Sequence, residues 1–355
     1  MRILVATDAW KPQVNGVVRS LESVARALRQ FGAEIEFLTP QGFATVPLPT
    51  YAEIRLALAS RGAVSKRLEG AAIDHIHIAT EGPVGFAARR YCLWAKRAFT
   101  TSYHTRFPEY IAARTRIPEA ITYALLRRFH NAGSGVMVST ASIAGDLNRR
   151  GFQRLMHWSR GVDHSQFSPA KAATINLRRP VFLYAGRLAP EKNVEAFLAL
   201  DLPGSKLVVG DGPSRRALEA SYPQAHYIGT QGSDALAVHY ASADVLVFPS
   251  RTDTFGMVLL EALACGLPVA ALPVPGPLDV IGASGAGVLD IDLRAACLAA
   301  LEIPRDKARA HALTFTWGKS ARQFLDNILL SKSCAPRRAP VPSVADRAMS
   351  GGSRW

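Results

Sequence analysis

Cysteine is scarce in this chain: Cys92, Cys265, Cys297 and Cys334 are the four in 355 residues. No two stand at a metal-site spacing, and a chain this long buries a core without disulfides, so free thiols in a reducing compartment are expected. Long apolar runs are missing too; none approaches the roughly 18 to 20 residues needed to cross a bilayer. The opening MRILVATDAW lacks the charged-then-apolar layout of a secretory signal, because Asp8 and Trp10 close a short strand-like run. The expected location is the cytoplasm, with attachment to the inner face of the plasma membrane left open. No His/Cys cluster stands out, and the site is read as needing no metal. Helix-turn-helix spacing, zinc-ligand patterns and aromatic-basic RNA signatures are absent, so nucleic acid is not the expected partner.

What is abundant is positive charge. The formal net charge is +14 and the pI near 10.0, which calls for an anionic partner: a phosphate-bearing substrate, an acidic membrane surface or nucleic acid. Much of the excess lies before residue 160, in the pairs Lys66-Arg67, Arg89-Arg90, Lys96-Arg97, Arg127-Arg128 and Arg149-Arg150. Hydrophobic residues make up 48% of the chain, enough for packed cores, and the length favours two domains.

Two halves share one grammar. In the first, RILVAT (2–7) reads as a buried strand, followed by the turn-rich DAWKPQVNG. A helix follows whose Val17, Leu21, Val24 and Leu28 fall on one face, ended by Gly32. EIEFLTP, IDHIHIAT, FTTSYHT and GVMVST continue as strands between helical segments. A polar, proline-punctuated stretch (160–180) reads as a linker, and the pattern restarts with VFLYAG, KLVVGDG, HYIG, DVLVFPS and LPVAAL. This alternation predicts two doubly wound α/β domains, 1–165 and 166–330, facing a cleft, with ligands beyond the carboxyl ends of the strands. Whether the last helix crosses back to the first domain is left open, and 331–355, rich in Pro, Arg and Ser, is expected to be a disordered tail.

Three motifs carry candidate chemistry. Asn15-Gly16-Val17 joins the first strand to the first helix, where glycine lets backbone approach an anion at a helix N-terminus; a plain turn glycine fits equally. GRLAPEKN (186–193) puts Arg187 and Lys192 at a strand's carboxyl end, where two cations suit a pyrophosphate; a surface loop with Glu191 pairing a basic neighbour fits as well. SRTDTFGMVLLEALACG (250–266) spaces Asp253 and Glu261 around a helix predicted from Phe255 to Cys265. Thr252, Asp253 or Thr254 is available to cap it, and Leu259, Leu260 and Leu263 form its packing face. Either Asp253 caps and Glu261 is solvated, or both carboxylates accept hydrogen bonds from hydroxyls of a sugar nucleotide. In the second case the amides of Thr254, Phe255 and Gly256 add polar contacts.

Taken in order along the chain, these motifs resemble a glycosyltransferase of the two-Rossmann-domain (GT-B) type in retaining family four. That family carries Glu, seven residues, Glu within a run like E-x-F-G-x-x-x-L-E-A-x-A-x-G-x-P-V. Here the run is D-T-F-G-M-V-L-L-E-A-L-A-C-G-L-P-V, with NGVVRS, YHTRFPEY (103–110), RGVD (160–163), GRLAPEKN and VVGDGP (208–213) in matching positions. EGPVG (81–85) and YHTRFPEY are further similar to the subgroup of GDP-mannose-dependent α-mannosyltransferases and plant-type sulfolipid synthases.

The resemblance implies that Gly16 lies beside the donor diphosphate, that Arg187 and Lys192 bind it from the other domain, and that Glu261 holds the ribose hydroxyls. It implies that Asp253 contacts the transferred sugar and that His104 reaches the sugar near the reacting carbon; a buried, strand-end histidine is the plainer reading of His104. Asp253 departs from the family's usual Glu by one methylene. The implied reaction is retaining, metal-independent transfer of a hexose from a nucleotide-sugar co-substrate, GDP-mannose before a UDP-hexose, to a lipid or glycan acceptor. An epimerase of nucleotide sugars and a weakened homologue acting as a partner protein are the competing readings. YIAARTRIPEAITYALLRRFH (110–130) reads either as an ordinary amphipathic core helix or as a segment resting on an anionic bilayer through Arg114, Arg116, Arg127 and Arg128.

Overall fold

All-apolar runs bounded by turn formers become short strands covered on both faces, as a parallel sheet flanked by helices requires. The computed structural model describes residues 1–11, 16–48, 51–68, 71–251 and 253–333. The first domain is built on β1 (Arg2–Ala6), β2 (Glu34–Leu38), β5 (His75–Ile78), β6 (Phe99–Tyr103), β7 (Gly135–Val138) and β8 (Leu155–His157). They run parallel in the order β2-β1-β5-β6-β7-β8. An antiparallel hairpin of β3 (Thr45–Leu48) and β4 (Tyr51–Ala57) stands apart from this sheet. The second domain repeats the plan with β9 (Val181–Ala185), β10 (Ser205–Val209), β11 (His226–Tyr227), β12 (Val245–Phe248), β13 (Val269–Ala271) and β14 (Gly287–Leu289), ordered β11-β10-β9-β12-β13-β14.

In each sheet the strand order reverses once, between β1 and β5 and between β9 and β12. Such switch points leave a crevice at the carboxyl ends of the strands. The loops after β9 and β12 carry GRLAPEKN and the Asp253 turn, so topology alone brings two separated motifs side by side.

The helix Gly16–Leu28 buries Val18, Leu21, Val24 and Leu28, with Val18 rather than Val17 completing its inner face. It packs on the helix Trp317–Ser333, which returns from the second domain to cover the first sheet. Phe324 there lies against Trp158 and His77, and Trp158 Nε1 donates to Ser320 Oγ at 3.1 Å. This helix continues through Ser331–Ser333, where a disordered tail was expected to begin. The reason is local: Ser331 is buried and its hydroxyl satisfies the Ile328 carbonyl at 2.8 Å. The remainder of the expected tail, with Cys334, lies outside the described residues. Cys92, Cys265 and Cys297 are buried free thiols. No described helix is long and apolar enough to cross a membrane.

Inside the first sheet His77 bonds Thr100 Oγ1 through Nδ1 and Ser102 Oγ through Nε2, both at 2.8 Å. Burial drives its pKa well below the ordinary value, so this histidine is a neutral core residue. Asp8, beyond β1, accepts from the Val84 and Gly85 amides at 2.8 and 3.2 Å, tying the first strand to the helix Pro83–Trp94. A Cβ on Gly82 would stand 2.4 Å from that carboxyl carbon, which is why glycine precedes the helix.

Candidate active site between the two domains

The turn after β12 differs from the expected one. The helix spans Met257–Ala264, starting two residues later than predicted, because Gly256 takes a left-handed conformation at φ 81° and turns the chain just before it. Asp253 does not cap the helix. Its Oδ1 accepts the Phe255 amide at 3.3 Å, and its Oδ2 accepts Lys192 Nζ at 2.8 Å. The Phe255 amide, expected to be open to a ligand, is therefore taken within the turn, and the Phe255 ring is buried in the second domain's core. Thr252 lies outside the described residues.

Lys192 reaches Asp253 because the loop between β9 and its helix is pinned to the neighbouring strand. Pro190–Lys192 forms a single 3-10 turn, Asn193 follows at φ 52°, and Asn193 Nδ2 donates to the Pro249 carbonyl at 3.0 Å. Tyr184 OH donates to the Arg187 carbonyl at 2.8 Å, and the Arg187 side chain is exposed at the loop's tip. Burial pushes the Asp253 carboxyl up, but the Lys192 ammonium and the turn amides outweigh it and hold Asp253 below the usual carboxylate range.

Glu261 is not the solvated residue that a capped surface helix would present. It is 3% exposed among Leu259, Leu260 and Leu263. Its Oε1 accepts Arg19 Nη1 at 3.0 Å across the domain junction, and Tyr240 OH reaches Oε2 at 3.4 Å. Burial raises the Glu261 pKa above the ordinary glutamate value, and Arg19 is the main group working against that rise. Arg19 was missed by the sequence motifs, although it sits in the quoted NGVVRS; a lone arginine on an amphipathic helix gives no sign of its partner. Substituting Arg19→Ala is expected to raise the Glu261 pKa further. If donor binding uses the ionised carboxylate, the acidic limb of affinity against pH then moves to higher pH in the variant. A pH series of nucleotide titrations on both proteins checks this, and superimposable profiles would refute it.

From the first domain, Gly16 opens its helix directly opposite Met257: a Cβ at Gly16 would meet Met257 Cγ at 3.4 Å. The N-termini of two helices, each carrying a partial positive charge, thus face each other across the junction. His104 follows β6, and its carbonyl accepts Thr254 Oγ1 at 2.7 Å, while Ser139 Oγ donates to the Thr254 carbonyl at 2.8 Å. Thr254 is therefore a bridge between domains. Arg160 Nη2 donates to His104 Nδ1 at 3.0 Å, which places the ring proton on Nε2. That Nε2 is buried with no partner among the described residues. Burial, helped by the nearby Arg160 charge, drives the His104 pKa well below 6.5, so the ring is a neutral hydrogen-bond donor rather than a base. Arg160 itself is 5% exposed, stacks on Trp158 and is lowered by burial to about 9.

The arrangement brings together Gly16, His104, Lys192, Asp253, Thr254 and Glu261 at one junction, with Arg187 on the loop that carries Lys192. It pairs cations with buried carboxylates beside two helix ends, a constellation suited to a phosphate group and a polyhydroxyl ligand held at once. Residues 14–166 match the sequence pattern of Glycosyltransferase Family 4, and residues 168–292 that of Glycosyl transferases group 1. The GDP-mannose-dependent alpha-mannosyltransferase of Mycobacterium tuberculosis (strain CDC 1551 / Oshkosh) is 30% identical over 320 residues, 81% of this chain and 83% of that one. The chain belongs to glycosyltransferase family 4.

This family 4 glycosyltransferase is also 25% identical, over 98% of its length and 90% of the relative's, to the Alpha-monoglucosyldiacylglycerol synthase of Streptococcus pneumoniae (strain ATCC BAA-255 / R6). Its fold matches that of Sucrose-phosphate synthase from Thermosynechococcus elongatus with a TM-score of 0.76, 18% identity and coverage of 94% and 99% of the two chains. The two doubly wound domains are thus those of the GT-B architecture. One acidic pair passed over in the sequence, Asp290-Ile291-Asp292, lies away from the junction: Asp290 Oδ1 accepts the Asp292 amide, and Asp292 Oδ1 caps the helix Leu293–Ala300 through the Arg294 and Ala295 amides.

Proposed function

We propose that this glycosyltransferase moves a hexose, mannose in preference, from a nucleoside diphosphate donor to a lipid or glycan acceptor with retention of configuration and without a metal. The observation that carries the reading is the pairing of Lys192 with Asp253 beside the buried Glu261, at the switch point of the second sheet and opposite the Gly16 helix end. Glu261 holds the ribose hydroxyls, Asp253 holds hydroxyls of the sugar, and Arg187 and Lys192 neutralise the diphosphate. His104 donates its Nε2 proton toward a sugar or phosphate oxygen. The bond from the anomeric carbon to the diphosphate oxygen breaks on the face where the acceptor oxygen bonds. The acceptor's proton passes to the departing phosphate oxygen. The guanine and mannose preference follows the name of the mycobacterial relative, and the lipid acceptor follows that of the streptococcal one.

The helix Glu119–His130 bears on the acceptor. It buries Tyr123, Leu126 and Phe129, which satisfies the core-helix reading, yet leaves Ile121 and Leu125 62% and 56% exposed beside Arg116 and Arg128. Ile117 and Phe107 extend this apolar surface. Apolar side chains ringed by guanidiniums favour a peripheral seat on an anionic membrane.

The test is calorimetry of the purified protein with GDP-mannose, UDP-glucose and UDP-galactose, followed by transfer to a panel of lipid and glycan alcohols and proton NMR of the product. Tightest binding of GDP-mannose and an α-linked product are expected. Preference for a UDP-hexose would move the donor, a β-linked product would remove retention, and loss of turnover in EDTA restored by Mg²⁺ would remove metal independence. Interconversion of nucleotide sugars without acceptor would favour an epimerase instead.

A further inference from the structure

Beside the donor junction lies an open cavity of about 580 Å³, lined by Arg106, Ser142, Gly145, Asp146, Arg149 and Arg150 of the first domain and by Pro275 of the second. It lies within the roughly 300–1,000 Å³ of small-ligand sites. Pro275 links its far wall to the donor turn. Gly276, next to Pro275, is packed so closely on that turn that a Cβ there would stand 3.1 Å from the Phe255 carbonyl and 3.5 Å from Asp253 Cβ. Its near wall begins two residues after His104. The Ser142 amide, donating to Asp279 Oδ1 at 3.3 Å, joins the two domains along this edge.

The charge inside is unbalanced. Three guanidiniums converge on one lining carboxylate: Asp146 receives Arg106 at 3.5 Å, Arg150 at 3.3 Å and Arg149 at 3.6 Å. These are long contacts for charge-assisted hydrogen bonds, so the arginines are gathered without being saturated. Arg106 is anchored from behind by Glu109 at 2.7 Å, and Glu109 by Tyr123 OH at 2.7 Å, while Arg150 stacks on the Tyr123 ring with its guanidinium carbon 3.7 Å from the centroid. Arg106 Nε is buried with no partner among the described residues. Two of the guanidiniums are thus held in fixed orientations by packing that neutralises only part of their charge, while Arg149 is largely exposed at the rim. Fixed, planar, unsaturated guanidiniums are what bidentate recognition of a tetrahedral oxyanion needs.

We propose that this cavity seats a phosphate carried by the acceptor, held by Arg106, Arg149 and Arg150 so that an acceptor hydroxyl points across Pro275 toward the sugar on Asp253. The proposal rests on the glycosyl-transfer reading and adds the acceptor's chemical class: a phosphate-bearing alcohol. A lipid headgroup and a soluble molecule are the two sources of such a phosphate, and both present the same group to the arginines.

Inorganic phosphate is the first probe, titrated into the full chain saturated with GDP so that Arg187 and Lys192 are occupied. Saturable binding is expected, weakened at least tenfold by Gly145→Asp, which places a carboxylate among the arginines. A Cβ at Gly145 meets only Arg149 Nη1, at 3.7 Å, so the variant is not crowded. Arg149→Gln, at a largely exposed side chain, is the second variant and is expected to weaken phosphate binding severalfold, with GDP affinity unchanged in both. Transfer is then compared on phosphatidylglycerol in neutral vesicles, on glycerol 3-phosphate and on the neutral pair monoglucosyldiacylglycerol and methyl glucoside. A kcat/KM at least tenfold higher for a phosphate-bearing acceptor, lost in Gly145→Asp, supports the site, and whichever of the two is used names its source. Equal phosphate affinity in wild type and both variants, or neutral acceptors used as well as charged ones, overturns it. If neither GDP nor UDP binds, the donor reading fails instead, and the same phosphate titration on nucleotide-free protein still decides the cavity.

Discussion

Glu261→Ala is expected to remove measurable donor binding, the largest loss of affinity for any single side chain in the junction. The carboxylate is 3% exposed and already bonded by Arg19 and Tyr240. Two ribose hydroxyls donating to this carboxylate are worth about 1.5–3 kcal/mol each, so losing both is roughly a hundred- to ten-thousand-fold in Kd, and the broken Arg19 pair adds a cost in stability. Arg19 left without its carboxylate can also shift the junction, so the alanine variant alone does not isolate the ribose contact. Glu261→Gln keeps the shape and one acceptor oxygen, and a loss of only about tenfold is expected from it. The discriminating ligand is 2′-deoxy-GDP. If Glu261 accepts from the ribose hydroxyls, removing the hydroxyl should weaken wild type strongly and Glu261→Gln much less, giving a coupling in a double-mutant cycle. Equal losses in both proteins would leave Glu261 as a strut for Arg19 and nothing more. Thermal melts run alongside read the strut role separately, because an interdomain pair lost without its ligand function lowers Tm but leaves the coupling at zero.

Much of this site could be read from residues because the motifs are local. VFLYAG and DVLVFPS are apolar runs with turn formers behind them, so the strands and the loops carrying Arg187, Lys192 and Asp253 follow from sequence. The spacing of Asp253 and Glu261 needs only one helix to interpret. The contacts that define their chemistry are not local. Arg19 and Glu261 are 242 residues apart, and Lys192 and Asp253 are 61 apart, so no window of sequence contains both members of either pair. The start of the helix was misplaced for a similar reason: the Thr-Asp-Thr run offers side-chain caps, but Asp253 is drawn off by Lys192 and the turn is made by Gly256. Strands β8 and β14, three residues each, and the hairpin containing Pro47 carry too little periodicity to stand out from loops. The arginine cavity was the least legible, since Arg149-Arg150 showed only as one of several basic pairs and nothing in the sequence ties them to Arg106 and Asp146 until the fold gathers them.

Lys192→Ala is expected to lower kcat by about 10²- to 10³-fold, the usual cost of removing one donor aimed at charge that develops in the transition state, with a smaller effect on donor Kd. The ammonium sits 2.8 Å from Asp253 Oδ2, so one substitution acts on two groups. It removes the cation proposed to neutralise the leaving phosphate, and it releases Asp253 from the charge that holds its pKa down. Burial, the largest influence on Asp253, then acts against fewer opposing interactions and the carboxyl rises. A depressed folded-state pKa gives stability that is present above the unfolded value and lost as pH falls through the folded one. Lys192→Ala should therefore be less stable than wild type near neutrality and lose less on acidification, while the acidic limb of its kcat profile moves to higher pH. Lys192→Arg keeps the charge and should restore the stability profile. It should recover kcat only partly, because a planar guanidinium replaces a compact ammonium beside Asp253 Oδ2. A kcat within threefold of wild type in Lys192→Ala would leave Lys192 as a partner of Asp253 alone, and the developing charge would then fall to Arg187 and the two helix ends. In that event Arg187→Ala, at an exposed loop tip, becomes the variant in which the large loss of kcat must appear.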